Sequence, residues 1–178
     1  SGTLTGNTHI NISGGNVRRV YGGGEDAATN GDTAIYMTGG AVSESTYGGS
    51  VSGQITGNTS ITIEGGQTAS VYGGNEYSGL ITGDTGLTFA AGASVNGWVY
   101  GGGAGRSADS ITEVAGSTNI LVNGGTFIHN LYGGGGWNGA KAGNSNIIIN
   151  DGEFKNDSWI YGGGEEESSV TGKVSVTV

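Results

Sequence analysis

The chain has 178 residues, of which 41 are glycine and 34% are apolar, and its formal net charge is −9. This acidic balance argues against a nucleic-acid partner, because phosphate binding needs a basic face. The sequence contains no cysteine, which excludes disulfides and thiol chemistry, and no apolar run approaches the length of a membrane-spanning helix.

A short unit recurs every 25 to 32 residues: an aliphatic residue or threonine followed by Tyr-Gly-Gly. Its copies are Val20-Tyr21, Thr46-Tyr47, Val71-Tyr72, Val99-Tyr100, Leu131-Tyr132 and Ile160-Tyr161. A period of this length is typical of solenoids, propellers and arrays. Low hydrophobicity with high net charge is also typical of disorder, but β-branched and aromatic residues at fixed offsets favour a folded repeat.

The first copy of the repeat predicts three short strands. Leu4 opens it, and Ile10 and Ile12 then alternate with polar neighbours, which is the pattern of a half-buried strand. A glycine pair breaks this strand. Val17 and Val20 follow at a spacing of three, so a bend must lie between them if both point inward.

The same template predicts one repeat domain over residues 1–178. Its approximate repeats are 1–28, 29–53, 54–79, 80–108, 109–139 and 140–168, with a partial repeat at 169–178. The longest insertion, residues 104–111, precedes the fifth copy. Because the chain ends inside a repeat without an atypical capping unit, we expect a fragment of a longer array.

Stacking successive repeats would pair equivalent strands in parallel and bury their apolar faces together. We therefore predict an all-β fold, a single parallel β-helix of about six rungs with three short strands each. A propeller blade needs about 40 residues or more, and the hexapeptide spacing of a left-handed β-helix is absent. The general preference of parallel crossovers favours a right-handed coil.

Lysine interrupts one apolar column of this template. The residue two before the turn glycine is apolar in most copies, such as Leu4 and Ile81, but it is Lys141 in the sixth. Burying an unpaired ammonium is costly. We therefore expect the register to slip near residues 139–142, so that Ala140 or Ala142 faces the core.

Two polar columns accompany the apolar ones. Asn and Asp favour turns by bonding their own backbone, so a structural corner is predicted at Asn7, Asp32, Asn58, Asp84, Ser117 and Asn144. An outward hydroxyl array of the kind that binds ice is a hypothesis for Thr8, Thr33, Thr59, Thr85 and Thr118. The mixed residues at the adjacent outward position disfavour that hypothesis.

Aromatic residues supply the candidate ligand-binding surface. By strand alternation, each repeat tyrosine is expected on the outer side, where it would form an external or corner ladder over neighbouring glycines. Large aromatics are enriched in the later rungs, and exposed rings can take up a sugar or a protein partner. The candidate ligand-binding residues are Trp98, Tyr100, Tyr132, Trp137, Trp159 and Tyr161.

The acidic loops could in principle hold Ca²⁺, but none matches a known calcium motif. They are Glu25-Asp26, Asp109 with Glu113, and Glu165-Glu166-Glu167, and a solvated surface is the simpler interpretation. We therefore predict no cofactor. Asp151, Glu153, Lys155 and Asp157 form the best catalytic candidate, yet no nucleophile, P-loop or zinc-protease motif is present.

The pattern Gly-Gly-x-Val-x-x-Val-Tyr-Gly-Gly-Gly, first met at residues 14–24, resembles the glycine-rich repeats of bacterial cell-surface adhesins and autotransporter passenger domains. Repeats of chlamydial polymorphic membrane proteins are similar only to residues 39–42 and 127–130. The resemblance implies an exported, surface-anchored β-solenoid that serves as a stalk or adhesive face. It carries over no catalytic residue.

Taken together, the sequence predicts a non-enzymatic, extracellular repeat module of a bacterial surface protein that binds a glycan or protein ligand. One alternative is a carbohydrate-active β-helix enzyme, a polysaccharide lyase or a glycoside hydrolase. Another is a passive spacer without a ligand. Open parallel edges also favour end-to-end self-association.

Overall fold

The computed structural model describes residues 2–106 and 109–178. These residues form strands and turns, without a helix, in a β-solenoid of about six turns whose neighbouring strands pair in parallel. The all-β parallel β-helix is therefore confirmed, and its handedness stays a prediction. Within the described residues, no helix long and apolar enough to cross a membrane is found.

Separate short strands of the first turns merge into longer strands in the later turns. In the first turn, three separate strands occupy the three predicted positions, whereas in later turns one bulged strand passes through several of them. In chain order they are β1 (Thr3–Thr5), β2 (Thr8–Ile12), β3 (Asn16–Tyr21), β4 (Ala28–Asn30), β5 (Thr33–Met37), β6 (Ala41–Tyr47), β7 (Thr59–Tyr72), β8 (Gly79–Ile81), β9 (Thr85–Val95), β10 (Val99–Tyr100), β11 (Thr112–Phe127), β12 (Leu131–Tyr132), β13 (Ala140–Phe154), β14 (Ile160–Tyr161), β15 (Ser169–Val170) and β16 (Val174–Thr177).

Equivalent apolar residues lie directly above one another in the core, as predicted. In-register pairing builds one inward column from Ile10, Ile35, Ile61, Leu87, Ile120 and Ile147. Two residues further along, a second column consists of Ile12, Met37, Ile63, Phe89, Val122 and Ile149. The middle members are almost fully buried, so burial of apolar surface stabilises the coil.

The predicted register slip at Lys141 occurs. Lys141 pairs with Glu113 and is exposed, whereas Ala142 pairs with Val114 and is buried. The register shifts just after Val114, so that Ser117 meets Asn144. A bulge in one turn thus keeps the ammonium out of the apolar interior.

The Asn and Asp column holds successive turns together. The prediction that these side chains bond their own turn is wrong, because each carboxamide or carboxylate oxygen accepts from the backbone N–H of the next turn. The bonds, at 2.7 to 2.9 Å, run from Asp32 N to Asn7, Asn58 N to Asp32, Asp84 N to Asn58, Ser117 N to Asp84 and Lys173 N to Asn144. The column therefore satisfies N–H groups where the coil turns a corner.

The threonine column points inward, so the hypothesis of an outward hydroxyl face is wrong. Thr33, Thr59 and Thr85 are buried, and each hydroxyl donates to the carbonyl of the glycine that follows the tyrosine of the same turn. The Oγ1–O distances are 2.5 to 2.6 Å. Each bond links two sides of one coil and satisfies a hydroxyl that would be costly to bury alone.

The glycine after each tyrosine is required by close approach between turns. A Cβ added to Gly73 would collide with the backbone carbonyl oxygen of Gly101 and the side chain of Thr85. Gly14, in contrast, has open space around its Cβ position and a φ outside the left-handed region. Substituting these two glycines therefore separates the cost of a steric clash from the effect of glycine on the flexibility of the backbone.

We expect Gly73→Ala to lower the free energy of unfolding by about 1–3 kcal/mol or more, because backbone carbonyls cannot yield to the new methyl group. Gly14→Ala should leave it unchanged or raise it by about 0.4–1 kcal/mol, since alanine restricts the unfolded chain. Urea denaturation followed by circular dichroism measures both. Equal effects of the two substitutions would contradict the close approach at Gly73.

Candidate functional site

The six repeat tyrosines form one continuous stack along the solenoid. Neighbouring ring centroids are 4.8 to 5.1 Å apart, and the ring planes differ by 5° to 12°. The stack runs through Tyr21, Tyr47, Tyr72, Tyr100, Tyr132 and Tyr161. The predicted ladder therefore exists.

The expected exposure is wrong for the four central rings of this ladder, Tyr47, Tyr72, Tyr100 and Tyr132. Tyr47 and Tyr100 are 0% and 1% exposed, and Tyr132 is also buried. The rings leave the strand on the side away from the main core, as alternation requires, but they form a second cluster with Ala104 from a following loop. Loops that fold back over the rings exclude solvent, so Tyr100 and Tyr132 present no open face to a ligand.

Acidic side chains in later loops accept hydrogen bonds from the tyrosine hydroxyls. Tyr21 donates to Glu76, which lies two turns further along. Tyr100 and Tyr132 donate to Glu165, at 2.5 and 3.3 Å. The hydroxyls of Tyr21, Tyr100 and Tyr132 are thus bonded to the loops that cover the stack, as interior polar groups require.

Burial disfavours tyrosinate in the covered part of the stack. Burial, together with the bond to Glu76, raises the pKa of Tyr21 to about 12. Burial likewise raises the pKa of Tyr47, Tyr72, Tyr100 and Tyr132 above the ordinary value. The folded stack therefore requires neutral tyrosines.

Glu76 is the centre of a buried ion network that the sequence interpretation missed. Its side chain is 1% exposed, and it pairs with Arg106 at 2.7 Å and with Arg19 at 3.3 Å. Arg106 also donates to the Tyr47 hydroxyl at 3.2 Å. A signal was present, because glutamate follows the repeat tyrosine by four residues at Glu25, Glu76 and Glu165.

Trp137 belongs to this network rather than to an open surface. The guanidinium of Arg106 lies 5.4 Å from the Trp137 ring centroid and 5.6 Å from that of Tyr77. Trp137 is half-buried. One of its faces is therefore occupied by a cation–π contact.

The remaining candidates lie on an exposed surface, which we call the aromatic strip: Trp98, His129, Trp159 and Tyr161. Trp159 is 61% exposed, and Trp98 and Tyr161 are about 40% exposed. Trp98 stacks on His129 with centroids 4.5 Å apart, and Trp159 lies 6.3 Å from Tyr161 in a nearly parallel plane. His129 is a contributor that the sequence interpretation overlooked.

Backbone pairing places the two tryptophans of the aromatic strip at one position of the repeat. Val99 pairs with Leu131, which pairs with Ile160. Trp98, Asn130 and Trp159 precede these residues, so the indoles are two turns apart, roughly 9.6 Å along the axis. Asn130 lies between them, and its carboxamide oxygen accepts a hydrogen bond from the backbone N–H of Trp159 at 2.9 Å.

The candidate catalytic cluster is a surface feature. Lys155 and Glu153 form an ion pair at 3.3 Å, with 46% and 64% of their side chains exposed. Asp151 accepts a hydrogen bond from the backbone N–H of Gly152. Over residues 2–106 and 109–178, no three His, Cys, Asp or Glu side chains are grouped as a metal site would require.

Comparison of the chain with protein-family models, with curated proteins and with solved structures found no match. A functional hypothesis therefore depends on the residues and geometry described above.

The raised tyrosine pKa values predict loss of stability in alkali. Between pH of about 10 and 12, the unfolded chain loses phenolic protons that the native stack keeps, so the free energy of unfolding falls as pH rises. Below about pH 10 this contribution is fully present. Urea midpoints across a pH series, combined with tyrosinate absorbance, test it. Ionisation of all eight tyrosines near pH 10 in the folded protein would contradict the buried stack.

Glu76→Gln should destabilise the protein by about 1–3 kcal/mol, because it weakens two charge-assisted bonds to arginine and the bond from Tyr21. Glu153→Gln is the matched control, since its exposed ion pair is expected to contribute less than about 1 kcal/mol. Thermal and urea unfolding measure both. A neutral effect of Glu76→Gln would show that the buried network does not hold the turns together.

Proposed function

We propose that the chain is a non-enzymatic, extracellular adhesive module of a bacterial surface protein, and that its aromatic strip binds a glycan or protein ligand. The observation that carries the proposal is the exposure of Trp98 and Trp159 at one repeat position two turns apart. The resemblance of the glycine-rich repeat to adhesin and passenger-domain repeats supports the location.

The aromatic strip has the chemistry of a recognition surface. Indole and phenol rings combine a large apolar face with a polar edge, and they are enriched where proteins bind partners. The core columns and the tyrosine stack already have their own aromatic members, so the exposed indoles are not needed to fill the interior. Asn130 lies between the two tryptophans and positions the second, because its carboxamide oxygen accepts from the backbone N–H of Trp159.

The solenoid supports this role by holding the rings rigidly. Trp98 and Trp159 directly precede β10 and β14, and each ring lies against an aromatic neighbour, His129 or Tyr161, so part of the side-chain entropy is lost before binding. A rod that repeats weak contacts along its length gains affinity through effective concentration. This makes multivalent attachment the proposed mechanism.

An enzymatic role has weaker support. The side chains of Glu153 and Lys155 are well solvated, whereas catalytic groups usually lie in a pocket that shifts their acidity. Asp157 has a φ of 55° in the adjoining turn, which fits ordinary turn chemistry. The proposal therefore centres on binding rather than turnover.

End-to-end association is a second element of the proposal. β16 pairs with β13, and the side chains of its Val174 and Val176 and of the following Val178 are exposed. At the opposite end, Leu4 and Val17 are exposed on the first turn. Exposed strand edges with apolar side chains favour pairing with a second copy.

Trp98→Ala and Trp159→Ala should each raise the dissociation constant of a captured ligand by at least about tenfold, because a central aromatic contact is removed. Screening the protein against arrays of glycans and matrix proteins identifies the ligand. Tyr36→Ala on the outward side of β5 is the control and should leave binding unchanged. If no ligand is captured, or if both tryptophan variants bind normally, the chain is better described as a passive spacer.

A further inference from the structure

A separate cavity of about 540 Å³ opens beside the first tyrosines, away from the aromatic strip. This volume lies within the usual range for small-ligand pockets, roughly 300–1,000 Å³. Its side-chain lining consists of Arg19, Tyr21, Glu25, Val51, Glu76 and Tyr77, and the backbone of Gly23 and Gly24 completes the wall. The residues come from three successive turns.

The cavity combines one apolar face with several hydrogen-bonding groups. Tyr77 is 42% exposed, and Val51 lines the same cavity. Arg19 supplies N–H donors and the Glu25 carboxylate supplies acceptors, whereas the buried Glu76 carboxylate is occupied by Arg19, Arg106 and Tyr21. Donors and acceptors placed around an aromatic face suit a ring that is apolar on one side and carries hydroxyl groups, since a hydroxyl both donates and accepts.

The charges of the cavity nearly cancel. The arginines Arg18, Arg19 and Arg106 are balanced by three carboxylates, those of Glu25, Glu44 and the buried Glu76. A strongly charged ligand would therefore gain little from the site and would lose hydration on entry. The balance favours a neutral ligand.

The cavity wall is built in advance of binding. Glu76 accepts from Tyr21 and from both arginines, which orients its carboxylate. Arg106 contacts the Tyr77 ring and holds it at the cavity edge. Groups fixed by such partners lose little entropy when a ligand arrives.

We propose that this cavity binds a neutral saccharide unit, with the apolar face of the sugar against Tyr77 and its hydroxyls bonded to Arg19 and Glu25. The cavity and the aromatic strip are separate sites, so either binding proposal can fail without the other. Tyr77 is the residue that stacks on the sugar, Arg19 and Glu25 are the direct hydrogen-bonding partners, and Glu76 positions Arg19.

The test is a titration of ¹⁵N-labelled protein with glucose, galactose, mannose, N-acetylglucosamine and, as the acidic comparison, glucuronate. At least one neutral sugar should produce saturable shifts at the amides of Gly23, Gly24 and Val51. Tyr77→Ala should weaken this binding at least about fivefold. Tyr36→Ala is the control and should leave it unchanged, because Tyr36 lies outside the cavity.

The shifts locate the site without a substitution, so a misfolded variant cannot leave the question open. The proposal is overturned if no neutral sugar shifts these amides, if glucuronate binds more tightly than every neutral sugar, or if Tyr77→Ala binds normally. Shifts confined to the Trp98 and Trp159 indoles would also overturn it, while supporting the aromatic strip as the glycan site.

Discussion

In-register parallel pairing between successive turns is the constraint on which the rest of this structure depends. Because equivalent residues lie about 4.8 Å apart along the axis, each side chain contacts its own counterpart in the next turn. Isoleucine meets isoleucine or leucine in the core, and Tyr72 stacks between Tyr47 and Tyr100. A chain with a modest apolar content can thus bury its apolar groups in continuous columns.

The polar columns solve the problem that such close packing creates. Close stacking of the turns directs backbone N–H and C=O groups at neighbouring segments, where each group needs a partner. Asp32 and Asn58 accept from the N–H groups of the next turn, whereas Thr59 donates across its own turn. Bonds along the axis and bonds across the coil therefore complement each other, and the glycines permit both by letting backbones approach.

Departures from the repeat occur in the loop after the fourth tyrosine and at the variable position two residues before each tyrosine. The loop after the fourth tyrosine carries Arg106 back to Glu76 and Tyr47 in earlier turns, which closes the cover over the stack. The variable position two residues before the tyrosine holds Trp98 and Trp159 in later turns. A regular scaffold thus leaves its insertions and variable positions free to form an aromatic strip at one place and a polar cavity at another.

The sequence by itself determined the parallel coil, the two inward columns and the slip at Lys141, because each follows from local alternation and from the cost of burying a charge. It also indicated Trp98 and Trp159 as surface residues. Only the tertiary structure decided that most of the tyrosine stack is buried, that Thr59 points inward and that Glu76 forms ion pairs with two arginines. These outcomes depend on loops folding back over the strand and on contacts between residues 30 to 57 positions apart, and strand periodicity carries no information about either.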